Sequence, residues 1–289
     1  MYHETCLPDV SREAARNPAG LSGYTPTAAK RNSVRAGWTL LIDIGNTNIV
    51  VGGMAGDQLQ FTFRLPSDAR RFPDDSSLKQ LFARHGVPVS QIAGGILSSV
   101  VPDLTIAVGQ AMKRLTGHAF LVAGPDLALG LTIRMDNPYR VGVDLLADAV
   151  GALARYAPPL AIFDMGTATT MSVVDQEGNY TGSLIIPGLR LSLDALSGKA
   201  AQLPPIDLEQ PAHFLGANTV ESMRSGAIYG SAAMLDGLLE RLEEALGASV
   251  TAVATGGLAS MVMPYCKRPI HYHEHLLLEG LALLYKQNS

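Results

Sequence analysis

The chain has 289 residues, of which 47% are hydrophobic and 17% charged, and its formal net charge at pH 7 is −4. This composition suits two packed halves of ordinary domain size, excludes an intrinsically disordered chain and gives no reason to expect nucleic acid as a partner. Two cysteines, Cys6 and Cys266, are too few for a disulfide framework, and no apolar run reaches the roughly 18 residues of a membrane helix. Because the N-terminus also lacks the apolar stretch of a secretory signal, we expect a cytoplasmic enzyme without a membrane partner.

The first part of the chain divides into an extension and a first α/β half. Residues 1–36 hold few large aliphatics and many small or charged residues, so we expect them to form a disordered extension. A first half is predicted over residues 37–130. Its predicted elements are strands at 39–43, 49–54 and about 59–65, a helix ending at Gly86, a buried strand in AGGILSSVVP and a helix at 102–116.

A second half is predicted over residues 131–289. It begins with a helix in DLLADAVGALARY, where Leu146, Val150 and Leu153 recur at helical spacing. The further predicted elements are strands in PLAIFD, TMSVVD and TGSLIIPG, a long helix at 218–246, a strand and glycine turn in VTAVATGGLAS and a final helix at 274–287.

One pattern occurs in both halves. TLLIDIGNTNIVVGG at 39–53 and LAIFDMGTATTMSVVD at 160–175 each run from an aliphatic strand through a polar Asp-x-Gly turn into another aliphatic strand. The two aspartates, Asp43 and Asp164, lie 121 positions apart (164 − 43). Internal duplication of an α/β unit is the simplest explanation.

The polar turns have the composition of a phosphate clamp. Gly45 allows a close backbone approach, Asn46, Thr47 and Asn48 supply donors, and Asp43 is placed to hold a cation that neutralises phosphates. One such turn alone is compatible with a plain tight turn. The second copy, with Gly166 and Thr167, favours two hairpins that hold a polyphosphate with a metal between them, which is what phosphoryl transfer requires.

Two further segments are candidates for the same chemistry. Gly256 and Gly257 follow a strand, which fits either a close approach to a nucleotide or an ordinary strand-to-helix turn. Asp144 is predicted at a helix N-cap, where it would stay ionised and serve either as a general base or only as a cap. Asp148 shares its helix face, so the two carboxylates either raise one pKa or share a cation.

A histidine-rich segment, HYHEH, places His271, His273 and His275 at alternating positions. An extended backbone would put all three on one face, where they could bind zinc. The alternative that the sequence favours is a solvated junction between a strand and the last helix.

The ordered motifs resemble those of the type III pantothenate kinases, members of the superfamily of acetate kinase, sugar kinases, Hsp70 and actin. The resemblance covers Trp38 to Asn288. Besides DIGNTN and DMGTATT, it is carried by SSVVP at 98–102, NP at 137–138, VGVD at 141–144, IIPGLRLSLDAL at 185–196, LGANTVESMRSGAIYG at 215–230 and TGG at 255–257. It implies a duplicated ribonuclease-H-like (actin-like ATPase) α/β fold with the active site in the cleft between two similar halves.

The resemblance also implies an activity and a set of site residues. The activity is ATP-dependent phosphorylation of pantothenate, the first step of coenzyme A biosynthesis, by a homodimer that uses Mg²⁺ and a monovalent cation, K⁺ or NH₄⁺. Asp144 would accept the proton of the pantothenate hydroxyl. The implied ATP-binding residues are Asp43, Ile44, Gly45, Asn46, Thr47, Asn48, Gly166, Thr167, Gly256 and Gly257; the metal-binding residues are Asp43 and Asp164; and the pantothenate-binding residues are Met135, Gly142, Val143, Asp144, Leu145 and Thr219, the last acting in the neighbouring subunit.

The departures from the family pattern concentrate on the acceptor side. Met135 stands where the family usually has Tyr, Leu145 where it has Arg, Asp148 where it has Asn, and Arg140 where it has Glu. Loss of a guanidinium that pairs with an anionic substrate costs about 1.5–3 kcal/mol, so Tyr139 or Arg140 would have to compensate. Two alternatives therefore stay open: a kinase of this fold with another small-alcohol acceptor, and a non-catalytic paralogue that binds nucleotide as a companion subunit.

Overall fold

The computed structural model describes residues 37–289, so the expected extension over residues 1–36 lies outside the described residues. The first of two β-sheets has the order β3-β2-β1-β4-β5. Its strands are β1 Trp38–Ile44, β2 Asn48–Ala55, β3 Gln58–Pro66, β4 Ile92–Ser99 and β5 Leu121–Val122. The central strand β1 is a near-continuous aliphatic run because it is covered on both faces.

The second sheet has the order β10-β9-β6-β7-β8. Its strands are β6 Leu160–Met165, β7 Ala168–Val174, β8 Tyr180–Pro187, β9 Thr251–Thr255 and β10 His271–Tyr272.

Both sheets have the same topology. In the first, β1 pairs antiparallel with β2 and parallel with β4; in the second, β6 pairs antiparallel with β7 and parallel with β9. The outer strands β3 and β8 pair antiparallel with β2 and β7. Reading the second order in reverse therefore reproduces the first strand by strand, and the predicted duplicated α/β unit is confirmed.

Seven α-helices complete the described part of the chain: α1 Asp75–Arg84, α2 Pro102–Thr116, α3 Val143–Leu153, α4 Leu189–Lys199, α5 Thr219–Leu246, α6 Ala259–Val262 and α7 Leu276–Asn288. Their ends follow local signals. The Asn218 side chain caps α5 by accepting from the Glu221 N–H, and α5 ends at Gly247 in the left-handed conformation. No helix within residues 37–289 is long and apolar enough to span a bilayer.

Helices α3 and α7 position the site because they pack between the two sheets. One apolar core joins them to Leu41 and Ile96 of the first sheet and to Leu160 and Ile162 of the second. The two helices approach so closely that a Cβ at Gly280 would overlap the Ala147 backbone. Residues 145–152 of α3 are accordingly all buried.

The predicted elements agree with these bounds to within a few residues, and the helix at 102–116 agrees at both ends. Helix α4 was not assigned from the sequence, although IIPGLRLSLDAL contains most of it. The boundary near residue 130 stays a prediction; it falls between β5 and α3.

Candidate active site

The two polar turns form the tips of the β1–β2 and β6–β7 hairpins. In the first tip, the Gly45 N–H donates to the Asn48 carbonyl at 3.0 Å. In the second, the Gly166 N–H donates to the Ala168 carbonyl at 3.0 Å, which closes a tip one residue shorter. Both hairpins therefore reverse immediately after the central aspartate strands.

The structure brings the two tips into contact. The hydroxyls of Thr47 and Thr167, 120 positions apart in the chain, hydrogen-bond to each other at 2.9 Å. Both threonines are exposed, as are Asn46 and Asn48, so their polar groups remain accessible to a ligand. Ile44 is fully buried, which leaves only its backbone available for binding.

Asp43 and Asp164 occupy equivalent positions near the ends of the two central strands. Asp43 pairs with Val50 on β2, and Asp164 pairs with Thr170 on β7. Burial, and then the negative charge of Asp144, raises the pKa of Asp43 from 3.8 to about 7. The same two causes raise the pKa of Asp164 to about 6. Both carboxylates thus bear a cost in the charged form that a cation would relieve.

Asp148 on α3 is the most buried carboxylate of the group. Its side chain is 1% exposed, and neither oxygen has a hydrogen-bond partner among the described residues. Burial raises its pKa well above 3.8, and the charges of Asp164, Asp144 and Asp43 raise it further, in that order. These four aspartates, which we call the carboxylate cluster, therefore lie close enough to influence one another.

The predicted position of Asp144 is wrong by two residues. Gly142 is the N-cap of α3, and Asp144 is the second helical residue, where its Oδ1 accepts from the Leu145 N–H at 3.0 Å. Burial raises its pKa, whereas an exposed N-cap would have lowered it. A Cβ at Gly142 would overlap the Asp144 carboxylate, so this glycine makes room for it.

The carboxylate cluster borders a cleft of about 570 Å³ lined by residues of both halves. Asp43, Asp148 and Asp164 line it directly, and so do Gly256 and Gly257 of the turn after β9. Gly256 has φ +90°, and a Cβ there would lie 2.5 Å from Asp164 Oδ1. The turn after β9 therefore requires glycine at position 256, because its backbone lies directly against the Asp164 side chain.

Several lining residues were not predicted as site residues from the sequence: Thr62, Arg64, Ser260, Tyr272 and Glu274. Arg64 could have been predicted from the sequence, because the hairpin pattern pairs it with Val50 and pairs Val50 with Asp43. Thr62 lies on β3 two residues before Arg64. Ser260, Tyr272 and Glu274 reach the cleft from α6, from β10 and from the residues after β10, whose positions depend on long-range packing.

The three histidines do not converge on a common point. His271 stacks on the Tyr156 ring at 4.8 Å, and His273 hydrogen-bonds to the Tyr156 hydroxyl. His275 lies at the start of α7 and lines the cleft. No group of three or more His, Cys, Asp or Glu side chains within residues 37–289 has the geometry to hold a metal. The geometry therefore favours the strand-to-helix junction over a zinc site.

The residues predicted to bind the acceptor are largely apolar, and they are buried or half-buried. Leu145 is 7% exposed and belongs to the core between the sheets, and Met135 packs against the same core. Gly142 and Val143 are half-buried at the start of α3. Tyr139 is 70% exposed and donates to Asp126 at 2.9 Å, so it is already engaged elsewhere.

Thr219 lies apart from the carboxylate cluster. It is the first residue of α5 and lines a second cavity of about 690 Å³. This cavity is bounded by α4, α5 and β8 and is mostly apolar, with Ser222, Gly226 and Gly230 presenting small side chains along α5. Within one chain, the structure does not bring Thr219 to the other predicted site residues.

The donor set at the carboxylate cluster fits the cations expected there. Carboxylate oxygens are the ligands that Mg²⁺ and K⁺ take in proteins, and Mg²⁺ commonly binds one or two carboxylates together with phosphates and water. The unpartnered oxygens of Asp148 add a local demand for positive charge. A cage of three side chains is not required for this kind of binding.

Comparison with known proteins agrees with the motifs. The profile of the type III pantothenate kinase family matches residues 39–241. The chain belongs to this family. It is 40% identical over 252 residues to the type III pantothenate kinase of an Exiguobacterium species, covering 86% of this chain and 99% of that relative. It is 37% identical to the type III pantothenate kinase of Moorella thermoacetica over the same shares.

A solved structure supports the fold. The activator of the 2-hydroxyisocaproyl-CoA dehydratase from Clostridium difficile, solved with bound ADPNP, superposes with a TM-score of 0.52 at 13% identity, covering 86% of this chain and 93% of that one. This likeness concerns the fold alone. The predicted family and fold class are thus confirmed, and the protein is a kinase by family.

Proposed function

We propose that this type III pantothenate kinase transfers the γ-phosphoryl group of ATP to the primary hydroxyl of pantothenate, giving 4′-phosphopantothenate, the first step of coenzyme A biosynthesis. The observation that carries the proposal is the contact of the two hairpin tips beside the four aspartates of the carboxylate cluster. Phosphoryl transfer depends mainly on positioning and charge stabilisation, and this arrangement supplies both. The cytoplasmic location stays a prediction.

The hairpin tips are the phosphate-binding element. The Gly45 and Gly166 N–H groups close the two turns, so these glycines contribute a close backbone approach rather than donors. The backbone N–H groups of Asn46 and Thr47, the Asn48 side chain and the Thr47 and Thr167 hydroxyls approach the polyphosphate from two sides. Because each tip is anchored by its own backbone hydrogen bond, the donors need little rearrangement when phosphate binds. The Thr47–Thr167 hydrogen bond would then yield to the ligand.

Asp43 and Asp164 hold the cations. Mg²⁺, when bound, neutralises charge on the transferred phosphate. Asp164 additionally takes the monovalent cation that the family resemblance implies. Their raised pKa values, about 7 and about 6, mean that cation binding displaces protons near neutral pH.

Asp144 accepts the proton of the attacking hydroxyl. Burial raises its pKa, and a carboxylate with a raised pKa is a stronger base than an exposed one. Gly142 and the Leu145 N–H fix the carboxylate at the start of α3. Its position beside Asp43 and Asp164 puts the base next to the phosphate-binding tips.

A second candidate, a kinase acting on a less anionic alcohol, is favoured by the acceptor side. Leu145 is buried in the core and Met135 packs against it, so neither provides a charge for a substrate carboxylate. Tyr139 and Arg140 are exposed, which is a poor position from which to replace the missing guanidinium.

The oligomer that we propose is a homodimer. Leu184 and Ile185 of the edge strand β8 and Leu191 and Leu196 of α4 expose 41%, 75%, 50% and 45% of their surfaces. An apolar surface of this kind is suited to another protein surface, and the row of small residues on α5 permits close helix packing. A second copy of the chain would place its own Thr219 near the acceptor of the first.

The test is ADP release by the purified protein with ATP, Mg²⁺ and K⁺, measured with pantothenate, with its uncharged alcohol analogue pantothenol, and with neither. We expect pantothenate-dependent release that falls roughly 10²–10⁴-fold in Asp144→Asn. Asp103→Asn, an isosteric change at an exposed position on α2, is the control and should keep wild-type activity.

The other outcomes separate the alternatives. Preference for pantothenol over pantothenate would favour the less anionic acceptor. Binding of ATP with no acceptor-dependent release from either compound would leave the non-catalytic companion subunit as the function.

A further inference from the structure

Arg64 occupies a defined position in the cleft rather than a random place on the surface. It lies two residues before the end of β3 and pairs with Val50 of β2, which pairs in turn with Asp43 of β1. Residues paired across neighbouring strands point to the same face of a sheet. Asp43, Val50 and Arg64 therefore form one row across the first sheet, and all three line the cleft.

Among residues 37–289, no side chain pairs with the guanidinium of Arg64. Among the residues that line the cleft it is the only lysine or arginine, although Asp43, Asp148, Asp164 and Glu274 line the same space. Within residues 37–289 it forms neither an ion pair nor a side-chain hydrogen bond, while nine other ion pairs occur there. Its position thus leaves its donors free for a ligand.

Arg64 also reaches across to the second half. Its Nη1 would lie 3.8 Å from a Cβ at Gly257, and no other heavy atom comes within 4 Å of that point. Its positive charge is also felt at Tyr272 on β10, where it partly offsets the rise in pKa caused by burial and by Glu274. The side chain therefore spans the opening between β3 and the turn after β9.

The distance along the row indicates which part of a nucleotide Arg64 would meet. Two strand spacings, about 10 Å, separate the Arg64 backbone from that of Asp43, which lies beside the hairpin tips. From there the Arg64 side chain extends to the Gly256–Gly257 turn, which the sequence assigns to the nucleotide, whereas the tips bind the transferred end of the polyphosphate in the function proposed above. A guanidinium there is matched to phosphate oxygens, which it can bind with two parallel hydrogen bonds.

We propose that Arg64 is a nucleotide-binding residue that contacts the phosphate nearest the nucleoside, opposite the Gly256–Gly257 turn. This inference rests on the proposed use of ATP but not on the identity of the acceptor. It assigns the outer strand of the first sheet to the nucleotide site, next to the two hairpin tips.

The experiment measures dissociation constants of ATP, ADP, AMP and adenosine for the intact protein by calorimetry in the presence of Mg²⁺. Arg64→Gln should weaken ATP, ADP and AMP roughly 10- to 100-fold and leave adenosine unchanged, because only the phosphate contact is lost. Arg64→Lys should fall in between, since it keeps the charge and loses the planar fork. Arg84→Gln, an exposed arginine at the end of α1 without an ion pair within the described residues, is the matched control.

Each contrary outcome overturns a different statement. Equal ATP affinity in wild type and Arg64→Gln would overturn the role of Arg64 and leave the proposed function standing. A loss confined to ATP, with ADP and AMP unchanged, would overturn the assignment to the phosphate nearest the nucleoside. ATP binding by the wild type without phosphorylation of any alcohol would overturn the proposed function and not the role of Arg64, and absence of nucleotide binding would overturn both.

Discussion

The outer strands of the two sheets, β3 and β8, carry residues of different chemistry at one equivalent position. In the first sheet the row from the central aspartate runs Asp43, Val50, Arg64; in the second it runs Asp164, Thr170, Ile185. Arg64 and Ile185 are separated by 121 positions (185 − 64), the same interval as the two aspartates. The two copies of the duplicated unit thus share the aspartate on the central strand and differ in the residue on the outer strand.

The consequences of this difference are chemical. Arg64 points its charge into the cleft, whereas Ile185 is apolar and 75% exposed on the edge strand β8. One edge of the molecule therefore presents a positive charge, and the other presents an exposed apolar side chain. A topology repeated exactly does not repeat its function, because function depends on the side chains at each position.

The largest expected effect concerns the shared centre. Asp43→Asn and Asp164→Asn should each lower the rate of ADP release roughly 10²–10³-fold, since each removes a charge that stabilises the phosphoryl group through its cation. Only Asp164→Asn should also abolish the response to K⁺, measured by replacing K⁺ with a bulky organic cation.

Different effects of Asp43→Asn and Asp164→Asn on ADP release would show that the two aspartates are not functionally equivalent. Full activity in either variant would mean that only one of the two hairpins holds a cation. A loss of the K⁺ response in Asp43→Asn instead would exchange their assigned roles.

The next effect concerns the edge of the second sheet. Ile185→Asp should weaken self-association roughly tenfold or more, because it places a charge in an apolar interface. Analytical ultracentrifugation over a range of protein concentrations measures this directly. ATP affinity should be unchanged, and pantothenate turnover should fall with the dimer if, as we propose, Thr219 acts across subunits.

Ile106→Asp on α2 is the matched control, since Ile106 is 63% exposed in the first half, away from the second cavity. Its association should equal that of the wild type. A monomeric wild type, or equal association in both variants, would show that the exposed apolar face of α4 and β8 is not the dimer surface.

Much of the fold could be predicted because its signals are local. The Asp-x-Gly turns, the aliphatic strands around them and the capped helices each depend on a few neighbouring residues, and the repetition of the pattern linked the two halves. The repetition also predicted that the two turns face each other, and the hydrogen bond between Thr47 and Thr167 agrees with that prediction.

The rest depends on packing that one segment does not reveal. The spacing of Leu146, Val150 and Leu153 predicts a helix with one apolar face, but α3 is buried on all sides because α7 and both sheets surround it. For this reason Leu145, predicted in the substrate site, belongs to the core. Asp148 is the only acidic residue in the apolar run 145–152, and this pattern could have predicted a buried carboxylate.

The smallest expected effect tests the charge difference between the halves. The first half lines the cleft with one acid and one base, Asp43 and Arg64, whereas the second lines it with the acids Asp148, Asp164 and Glu274. Asp148→Asn removes the most buried of these charges. At about pH 8 and in the absence of nucleotide and Mg²⁺, it should raise the free energy of unfolding by about 1–3 kcal/mol, because an unpartnered buried carboxylate is costly.

The sign of the pH dependence follows from the raised pKa of Asp148. Folding binds a proton at this group, so its destabilising contribution is absent below about pH 4 and grows as the pH rises towards the pKa in the folded state. Denaturant unfolding between about pH 4 and about pH 8 should therefore show a shallower loss of stability in Asp148→Asn than in the wild type. Asp148→Asn should still lose some stability as the pH rises to about 7. The reason is that the pKa values of Asp43 and Asp164 are also raised by burial, to about 7 and about 6, so their ionisation also destabilises the folded state. Equal curves for the two proteins would mean that the Asp148 carboxylate is already neutralised by a bound cation, and that the second half is no more acidic in solution than the first.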